Sequence, residues 1–478
     1  MLPQRLNRRR NLKSTRLLSL SIFFCIMTSC GGETALVQDQ MKRIDAITVP
    51  SDKLTALVQL DQRHSRSFGV KFRLGELYLY FGPVDAGAVY LGEAHRLRGD
   101  RGVSRDDARA AALEYARALI MLGRPSEAIP VVMADARAGD ARALLVRARA
   151  YVQSGNSKGA IADFRAAIGT KGAQPAAVDF TLYAQALASE RQHADALLVL
   201  RDCEQRLGYQ PGTGLLESSL LEKLGRTVES ILAAFKETLY QQTQGTISVD
   251  QVDRNLTTLA GRSEVTGVAD PRTQMLVKGL AAYLHERWAD AFGGLTKGLA
   301  GLNDPYGQFL LLSCSLEKDK VTAAGLTRLA ALEPRYRSYP DFYYRLWRAM
   351  KKGPGDYNLS AARGVLEKTI LLAPASREAR ETRIEVGRLV GVDPGDAGDI
   401  LLRPELDLAY ARLAGGADPQ MVLPAVLKLL SIRRENVYTS DGVLMLKSAS
   451  RIPGVGRFLT EQARGASEPL KDRLSQLL

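Results

Sequence analysis

Residues 147–167, RARAYVQSGNSKGAIADFRAA, contain the pattern that decides the fold. Apolar residues recur three and four positions apart on both sides of Gly155, which predicts two short amphipathic helices joined by a glycine turn. Ala148 is small enough for the two helices to approach closely, whereas Tyr151 and Phe164 are large enough to fill space towards a neighbouring unit. One such pair cannot bury its own apolar face. The stretch therefore requires further copies of itself along the chain.

Copies of this pattern follow one another along most of the chain. The small residue of the second helix recurs at spacings of 41, 32, 36, 34 and 61 residues, at Gly87, Ala128, Ala160, Ala196, Ser230 and Ala291. A small residue also stands in each first helix, at Gly75, Ala116, Ala148 and Ala184. Together with Leu-Gly-x-x-Tyr at 74–78 and Ala-x-x-x-Phe at 160–164, this resembles the tetratricopeptide repeat, whose period is about 34 residues.

The resemblance implies an all-α fold, an α-solenoid of helix-turn-helix repeats wound into a right-handed superhelix. First helices would line its concave face. Glycines expected to end first helices in a left-handed conformation are Gly82, Gly123, Gly155 and Gly225. We expect a signal peptide at 1–29, a tether and capping helices at 30–66, repeats at 67–243, an insertion with a short helix at 244–271, repeats at 272–375, and degenerate helical pairs with a C-terminal cap at 376–478.

Two of these regions interrupt the repeat pattern. Ser248-x-x-Gln251 is typical of a capping box and predicts where the inserted helix begins. Residues 391–419 are rich in Gly, Asp and Pro, which predicts a bend before the last helices.

The amino-terminal region predicts where in the cell the protein is located. A basic stretch, 1–16, precedes an apolar run of about eleven residues at 17–27, too short to span a hydrocarbon core of about 30 Å. The run ends at Cys30, followed by Gly31, and resembles a bacterial lipoprotein signal. That resemblance implies fatty acyl chains on Cys30 that anchor the chain in a lipid bilayer. Gly31 in place of Asp favours the outer membrane, facing the periplasm. An ordinary secretory signal is the alternative.

The charge of the chain excludes a dedicated nucleic-acid-binding protein. The formal net charge is +13, but six of the bases precede position 30, which leaves 59 bases against 52 acids. These bases alternate with acids and form no continuous basic stripe, so no nucleic acid is expected. A mildly basic solvated surface is one interpretation, and attraction to anionic lipid headgroups or an acidic partner is the other.

Motifs that carry chemistry are absent from the sequence. There is no His-Glu-x-x-His, no paired Cys-x-x-Cys, no phosphate-binding glycine loop and no Gly-x-Ser-x-Gly. We therefore expect no enzyme, no metal and no cofactor. Cys203 and Cys314 stand several repeats apart, which predicts two buried, unreactive thiols rather than a disulfide.

One group of candidate binding residues falls on the first helices. Arginines there can bind a carboxylate through two parallel hydrogen bonds. The alternative is that these arginines are solvated and paired with local acids. The candidates that should project towards the concave face are Tyr80, Arg117, Arg142, Arg149, Gln153 and Gln185.

A second group lies in the aromatic stretch 335–348. Tyr, Trp and Arg are enriched in binding hot spots. The same residue types also fill the interior of solenoids, so core packing with Arg at the surface is the alternative. The candidates are Tyr339, Tyr343, Arg345, Trp347 and Arg348.

The sequence thus predicts a membrane-anchored scaffold that faces the periplasm. Its concave face would bind a protein or peptide partner and so support the assembly or regulation of an envelope complex. A glycan- or peptidoglycan-binding lipoprotein that uses the aromatic stretch is the alternative function. An enzyme would need a site with no recognisable motif.

Overall fold

The computed structural model describes residues 35–47, 50–100, 102–264, 270–353, 359–414, 416–452 and 454–477. Within these ranges the regular structure consists of 27 α-helices and a 3₁₀ turn, and no strand occurs. The all-α prediction is confirmed. The chain divides after Ser154 into two compact units. The predicted signal peptide and Cys30 lie outside the described residues.

Unit 1, which ends at Ser154, contains seven described helices. They are α1 (Ala35–Asp45), α2 (Pro50–Arg63), α3 (Phe68–Phe81), α4 (Val84–Leu97), α5 (Arg105–Met121), α6 (Pro125–Arg137) and α7 (Ala141–Gln153). Helix α3 pairs with α4 and α5 pairs with α6, while α5 also contacts α3 and α7. The three first helices are therefore neighbours, as expected for a repeat array. Helices α1 and α2 cover the free end of this row by packing Val37, Met41 and Leu57 against Val70 and Leu74 of α3.

Unit 2 begins at Gly155 and contains the remaining described helices. They are α8 (Ser157–Gly169), α9 (Ala177–Ser189), α10 (His193–Leu207), α11 (Thr213–Lys223), α12 (Thr227–Thr243), α13 (Val249–Glu264), α14 (Pro271–Leu284), α15 (Trp288–Gly298), α16 (Pro305–Lys318), α17 (Ala323–Ala330), α18 (Glu333–Tyr336), α19 (Pro340–Lys352), α20 (Leu359–Leu372), α21 (Arg377–Val390), α22 (Arg403–Ala414), α23 (Pro419–Val422), α24 (Pro424–Ser431), α25 (Val437–Ala449), α26 (Val455–Gly465) and α27 (Leu470–Ser475). Within the described residues of both units, no helix has the length and apolar composition needed to cross a bilayer.

Small residues allow the paired helices to approach closely. A Cβ atom on Gly75 would lie 2.5 Å from Cγ of Leu91, and one on Gly279 would lie 2.6 Å from the backbone nitrogen of Leu295. Neither position has room for a larger side chain. All six small residues predicted for the second helices are buried. Their periodic spacing is therefore a signature of helix packing.

Left-handed residues end the first helices at three of the four predicted glycines. Gly123, Gly155 and Gly225 have φ between +72° and +78°. The prediction is wrong at Gly82, whose φ is −126°, because Pro83 follows and α3 ends in an extended conformation. Two equivalent turns have a non-glycine residue with positive φ, Arg191 at 61° and Glu286 at 55°.

In unit 2, some helices also contact helices that are not their neighbours in the chain. Helix α12 contacts α14, α16 and α19 in addition to α11 and α13. Every residue of α12 from Ser230 to Leu239 is buried. The loop before α11 joins α18, the short helix before α19, because the backbone N–H of Tyr209 donates to the carbonyl of Arg335 at 2.9 Å. This part of the chain is therefore packed around one central helix, α12.

The two interrupting regions also contain more helix than expected. The inserted helix α13 has 16 residues and packs against α12 and α14. Ser248 accepts from the N–H of Gln251 at 3.2 Å, but the side-chain oxygen of Gln251 accepts from Arg254 at 2.7 Å, so only half of the capping box forms. The predicted bend includes the 12-residue helix α22.

Candidate functional site

The first-helix candidates are divided between the two units. Unit 1 contains Tyr80 on α3, Arg117 on α5, and Arg142, Arg149 and Gln153 on α7; Gln185 is an exposed residue of α9 in unit 2. The side chain of Arg142 is 56% exposed, with Nε 4.0 Å from a carboxylate oxygen of Asp140. These positions make the neighbouring first helices of unit 1 the candidate site.

A carboxylate that the sequence analysis did not select belongs to the same register. Glu76 precedes Arg117 by 41 residues, and Arg117 precedes Arg149 by 32 residues. These are the first two spacings of the small residues in the second helices. The repeat spacing itself would have identified Glu76, had it been applied to charged as well as small residues.

Five charged side chains from three helices meet on this face, and we call them the first-helix cluster: Asp45 of α1, Arg73 and Glu76 of α3, and Glu114 and Arg117 of α5. Arg73 donates from Nη1 to Oε2 of Glu76 at 3.2 Å. Its Nη2 is 3.8 Å from Asp45, which is also 3.0 Å from Nζ of Lys53. Arg117 pairs with Glu114 one turn before it on α5. Each arginine of the cluster thus faces a carboxylate.

The cluster nevertheless leaves buried hydrogen-bonding capacity unused. Nε of Arg73, Nε of Arg117 and Oε2 of Glu114 are each buried without a hydrogen-bond partner. Glu114 is 9% exposed overall. An unsatisfied buried polar atom costs about 1 to 3 kcal/mol, so native proteins seldom retain one without a reason such as a bound water or ligand. Two donors and one acceptor therefore lie unpaired beneath the surface of adjacent helices.

Glu76 has an unusual proton affinity. Burial raises its pKa from 4.5 to about 7, against the opposing effect of the Arg73 guanidinium, while the carboxylates of Glu114 and Asp45 raise it further. The side chain is only 18% exposed. Desolvation penalises the charged form of a carboxyl group, which is the physical reason for the shift. Near neutral pH this carboxyl group exchanges between its two protonation states.

An apolar edge lies one turn beyond the cluster. Tyr80 and Phe81 at the end of α3 are 44% and 65% exposed, and Met121 at the end of α5 is 53% exposed. Tyr80 and Met121 are 41 residues apart and therefore occupy the same repeat position. Exposed apolar residues beside a few polar groups are the composition of a protein-binding surface.

The second group of candidates does not form a surface. Tyr339, Tyr343, Arg345 and Trp347 are at most 7% exposed and pack inside unit 2, while Arg348 is half-buried. Their burial contradicts the prediction that these residues bind a partner and agrees with the alternative of core packing. Residue types favoured in binding hot spots are also those that satisfy polar groups in a crowded interior, so composition alone did not separate the two cases.

Arg345 is the centre of this interior network. Its Nε donates to Asp341 at 3.1 Å and to the hydroxyl of Tyr283 at 3.2 Å. Its guanidinium carbon lies 4.6 Å from the ring centroid of Trp288. The aromatic rings and the carboxylate replace the water that Arg345 loses on burial.

Glu286 connects this network to a strained turn. It has φ +55° at the position where other repeats have glycine. Its carboxylate lies 3.3 Å from Arg348 of α19 and 3.4 Å from Arg377 of α21. The ion pairs that hold α19 and α21 to this turn compensate for the backbone strain.

Substitution of the two left-handed residues by glycine is expected to have opposite effects. Arg191 is exposed, so Arg191→Gly should remove the strain and raise the stability of unit 2 by about 0.5 to 1 kcal/mol. Glu286→Gly removes the same strain but also the pairs with Arg348 and Arg377, so a net loss of about 1 kcal/mol is expected. Urea denaturation of the two variants measures the difference. Equal stabilisation by both changes would show that the ion pairs contribute nothing.

Other features of the described residues provide less evidence for a functional site. Cys203 and Cys314 are free and buried, as predicted, and burial raises the pKa of each thiol to about 12. No group of side chains suited to a metal ion occurs among the described residues. A hollow of about 540 Å³ in unit 2 is lined by residues of α23, α24, α26 and α27, including Lys428 and Glu461.

Comparison with known proteins assigns this chain to no family. No family model matches this chain, and no curated protein matches it significantly. The structure of Naa15/Naa10 bound to HypK-THB is similar to this chain at 12% sequence identity and a TM-score of 0.26, over 90% of this chain and 92% of that chain. A TM-score this low carries no argument about shape, partners or activity.

Proposed function

We propose that this chain is a protein-binding scaffold and that the first-helix cluster receives a segment of the partner protein. The observation that carries the proposal is the exposed apolar edge of Tyr80, Phe81 and Met121 beside the charged first-helix cluster on neighbouring helices. The exposed edge of Tyr80, Phe81 and Met121 would take an apolar side chain of the same segment.

The proposal also assigns a cellular location to the chain. Cys30 carries acyl chains that hold the scaffold at the bacterial envelope, with the repeats facing the periplasm, where they support the assembly or regulation of an envelope complex. The lipoprotein-like sequence around Cys30 supports this part of the proposal. Labelling with a radioactive fatty acid should be abolished by Cys30→Ala. Unchanged labelling would refute the anchor and leave the binding site to be judged separately.

Removal of the Glu114–Arg117 pair should weaken partner capture. In a quantitative pull-down from detergent-solubilised envelopes, Glu114→Ala with Arg117→Ala should lower recovery of a stoichiometric partner about tenfold or more, as expected for a buried charged pair at an interface. Arg124, which precedes α6, and Glu127 of α6 form the matched control, since they have the same spacing and are joined at 2.6 Å but are exposed. Their double alanine variant should capture the partner normally. Equal recovery with both variants, each checked for native helicity, would reject the site.

A further inference from the structure

Helix α1 begins a short distance along the chain from the proposed anchor. Ala35, its first residue, comes five positions after Cys30. An extended chain covers at most about 3.6 Å per residue, so these five positions span no more than about 18 Å. This inference rests on the acyl anchor of the proposed function. With that anchor in the bilayer, the beginning of α1 stays within about 18 Å of the lipid surface.

Helices α1 and α2, which we call the cap, turn their apolar sides towards the repeats. Their buried residues, among them Val37, Met41 and Leu57, share one core with Val70 and Leu74 of α3. The exposed residues follow the helical period on the other side of each helix, at 39, 42 and 43 in α1 and at 52, 55, 59, 62 and 63 in α2. The cap therefore presents a polar outer surface at the end of the repeat row.

The outer surface of the cap has an excess of positive charge. Three of the four acids in these two helices already pair with a base, at 2.7 to 3.0 Å: Asp39 with Arg43, Asp45 with Lys53, and Asp61 with Lys71. Lys42, Arg63 and Arg66 are exposed, and no acid in the described part of the chain pairs with them. We call these three the cap bases. Against them stands one further acid, Asp52.

Anionic phospholipid headgroups are the binding partner that the short tether and the charge both favour. A Lys or Arg near an anionic bilayer favours the bound state about fivefold, and the attraction fades within a Debye length of about 8 to 10 Å. The tether keeps the cap close to that range and gives the lipid a high effective concentration. Arg63 and Arg66 can also bind a phosphate group through two parallel hydrogen bonds.

We propose that the cap bases hold the outer surface of the cap against anionic phospholipid headgroups, so that unit 1 meets the bilayer through α1 and α2. Each base contributes about fivefold to the ratio of docked to undocked cap, and the two arginines together contribute about 25-fold. Because the attraction is electrostatic and exposed to solvent, added salt weakens it.

The test measures contact between cap and lipid in the acylated chain, reconstituted into phosphatidylcholine vesicles with or without phosphatidylglycerol. A fluorophore on Gln59→Cys, an exposed position of α2, is quenched at short range by a lipid with a nitroxide on its headgroup. Cys203 and Cys314 are buried, so the fluorophore reacts at position 59. Phosphatidylglycerol should increase quenching, and Arg63→Gln with Arg66→Gln should lower the docked-to-undocked ratio about 25-fold.

Arg105→Gln with Arg137→Gln is the matched control, since these two arginines are exposed on α5 and α6 of the same unit. This control should be quenched like the unaltered chain. Arg63→Lys with Arg66→Lys keeps the charge and should also preserve quenching. Equal quenching on neutral and anionic vesicles, or an equal loss in the control, would overturn the inference.

Flotation of the same vesicles separates this inference from the proposed function. The unaltered chain should float with both kinds of vesicle, because insertion of acyl chains does not require anionic lipid. Flotation without any effect of phosphatidylglycerol on quenching would leave the anchor standing and overturn the cap contact. A chain that fails to float would overturn the anchor and the cap contact together.

Discussion

Glu237→Ala is expected to lower the stability of unit 2 by about 3 to 5 kcal/mol, because it removes the buried acceptor of several hydrogen bonds at once. Glu237 is 1% exposed on α12. Its carboxylate accepts from the hydroxyl of Tyr209 at 2.6 Å and from the backbone N–H groups of Gly212 and Gly214 at 2.9 and 3.2 Å. Alanine at this position would leave the buried donors of Tyr209 and Gly214 without partners, and the exposed Gly212 would lose its acceptor as well.

Urea denaturation followed by circular dichroism measures this loss. Glu461→Ala is the control, since Glu461 is an exposed glutamate in a helix of the same unit, and a change within about 0.5 kcal/mol is expected there. A similar small effect at Glu237 would contradict the central position assigned to α12.

Glu76→Gln is expected to change stability in a way that depends on pH. A carboxyl group whose folded-state pKa is raised contributes its full stability below the unfolded-state value, and that contribution is lost as the pH rises through the folded-state value. For Glu76 the window extends from 4.5 to about 7. Above it the ionised group costs on the order of 3 kcal/mol, at 1.36 kcal/mol per pKa unit. Glutamine carries no such cost. The free energy of unfolding of the variant, relative to that of the unaltered chain, should therefore rise by that amount between pH 4 and pH 8.

The measurement is the difference in free energy of unfolding of unit 1 between Glu76→Gln and the unaltered chain, taken at several pH values. Glu127→Gln is the control on α6, because Arg124 lowers the pKa of this exposed carboxyl group. The control difference should not rise with pH. A flat difference for Glu76→Gln would show that folding does not shift the pKa of Glu76.

Local packing of the repeats was predictable from the sequence. The spacing of small residues such as Gly75 and Ala128 reflects contacts within a helical pair, which involve residues close together in the chain. The glycine turns follow from the same short-range geometry, as Gly123 shows. The exception at Gly82 has a local cause in the proline that follows it.

Contacts between distant segments were not predictable in the same way. The backbone hydrogen bond between Tyr209 and Arg335 joins residues 126 positions apart. No sequence pattern near either residue indicates this contact. The same applies to Trp347, which could have faced solvent or core on composition alone. Glu76 differs, since its repeat position follows from the sequence. Its burial, however, depends on α1 and α5 and is visible only in the structure.

A row of units that each touch only their neighbours loses structure from its ends, one unit at a time. The enclosure of α12 gives unit 2 a different behaviour, because its removal exposes apolar surface of α14, α16 and α19 together. Amide protons of these four helices should therefore exchange with solvent deuterium at one common slow rate, while α26 and α27 exchange earlier. Proteases acting on the native chain should accordingly leave a resistant fragment that spans α11 to α19.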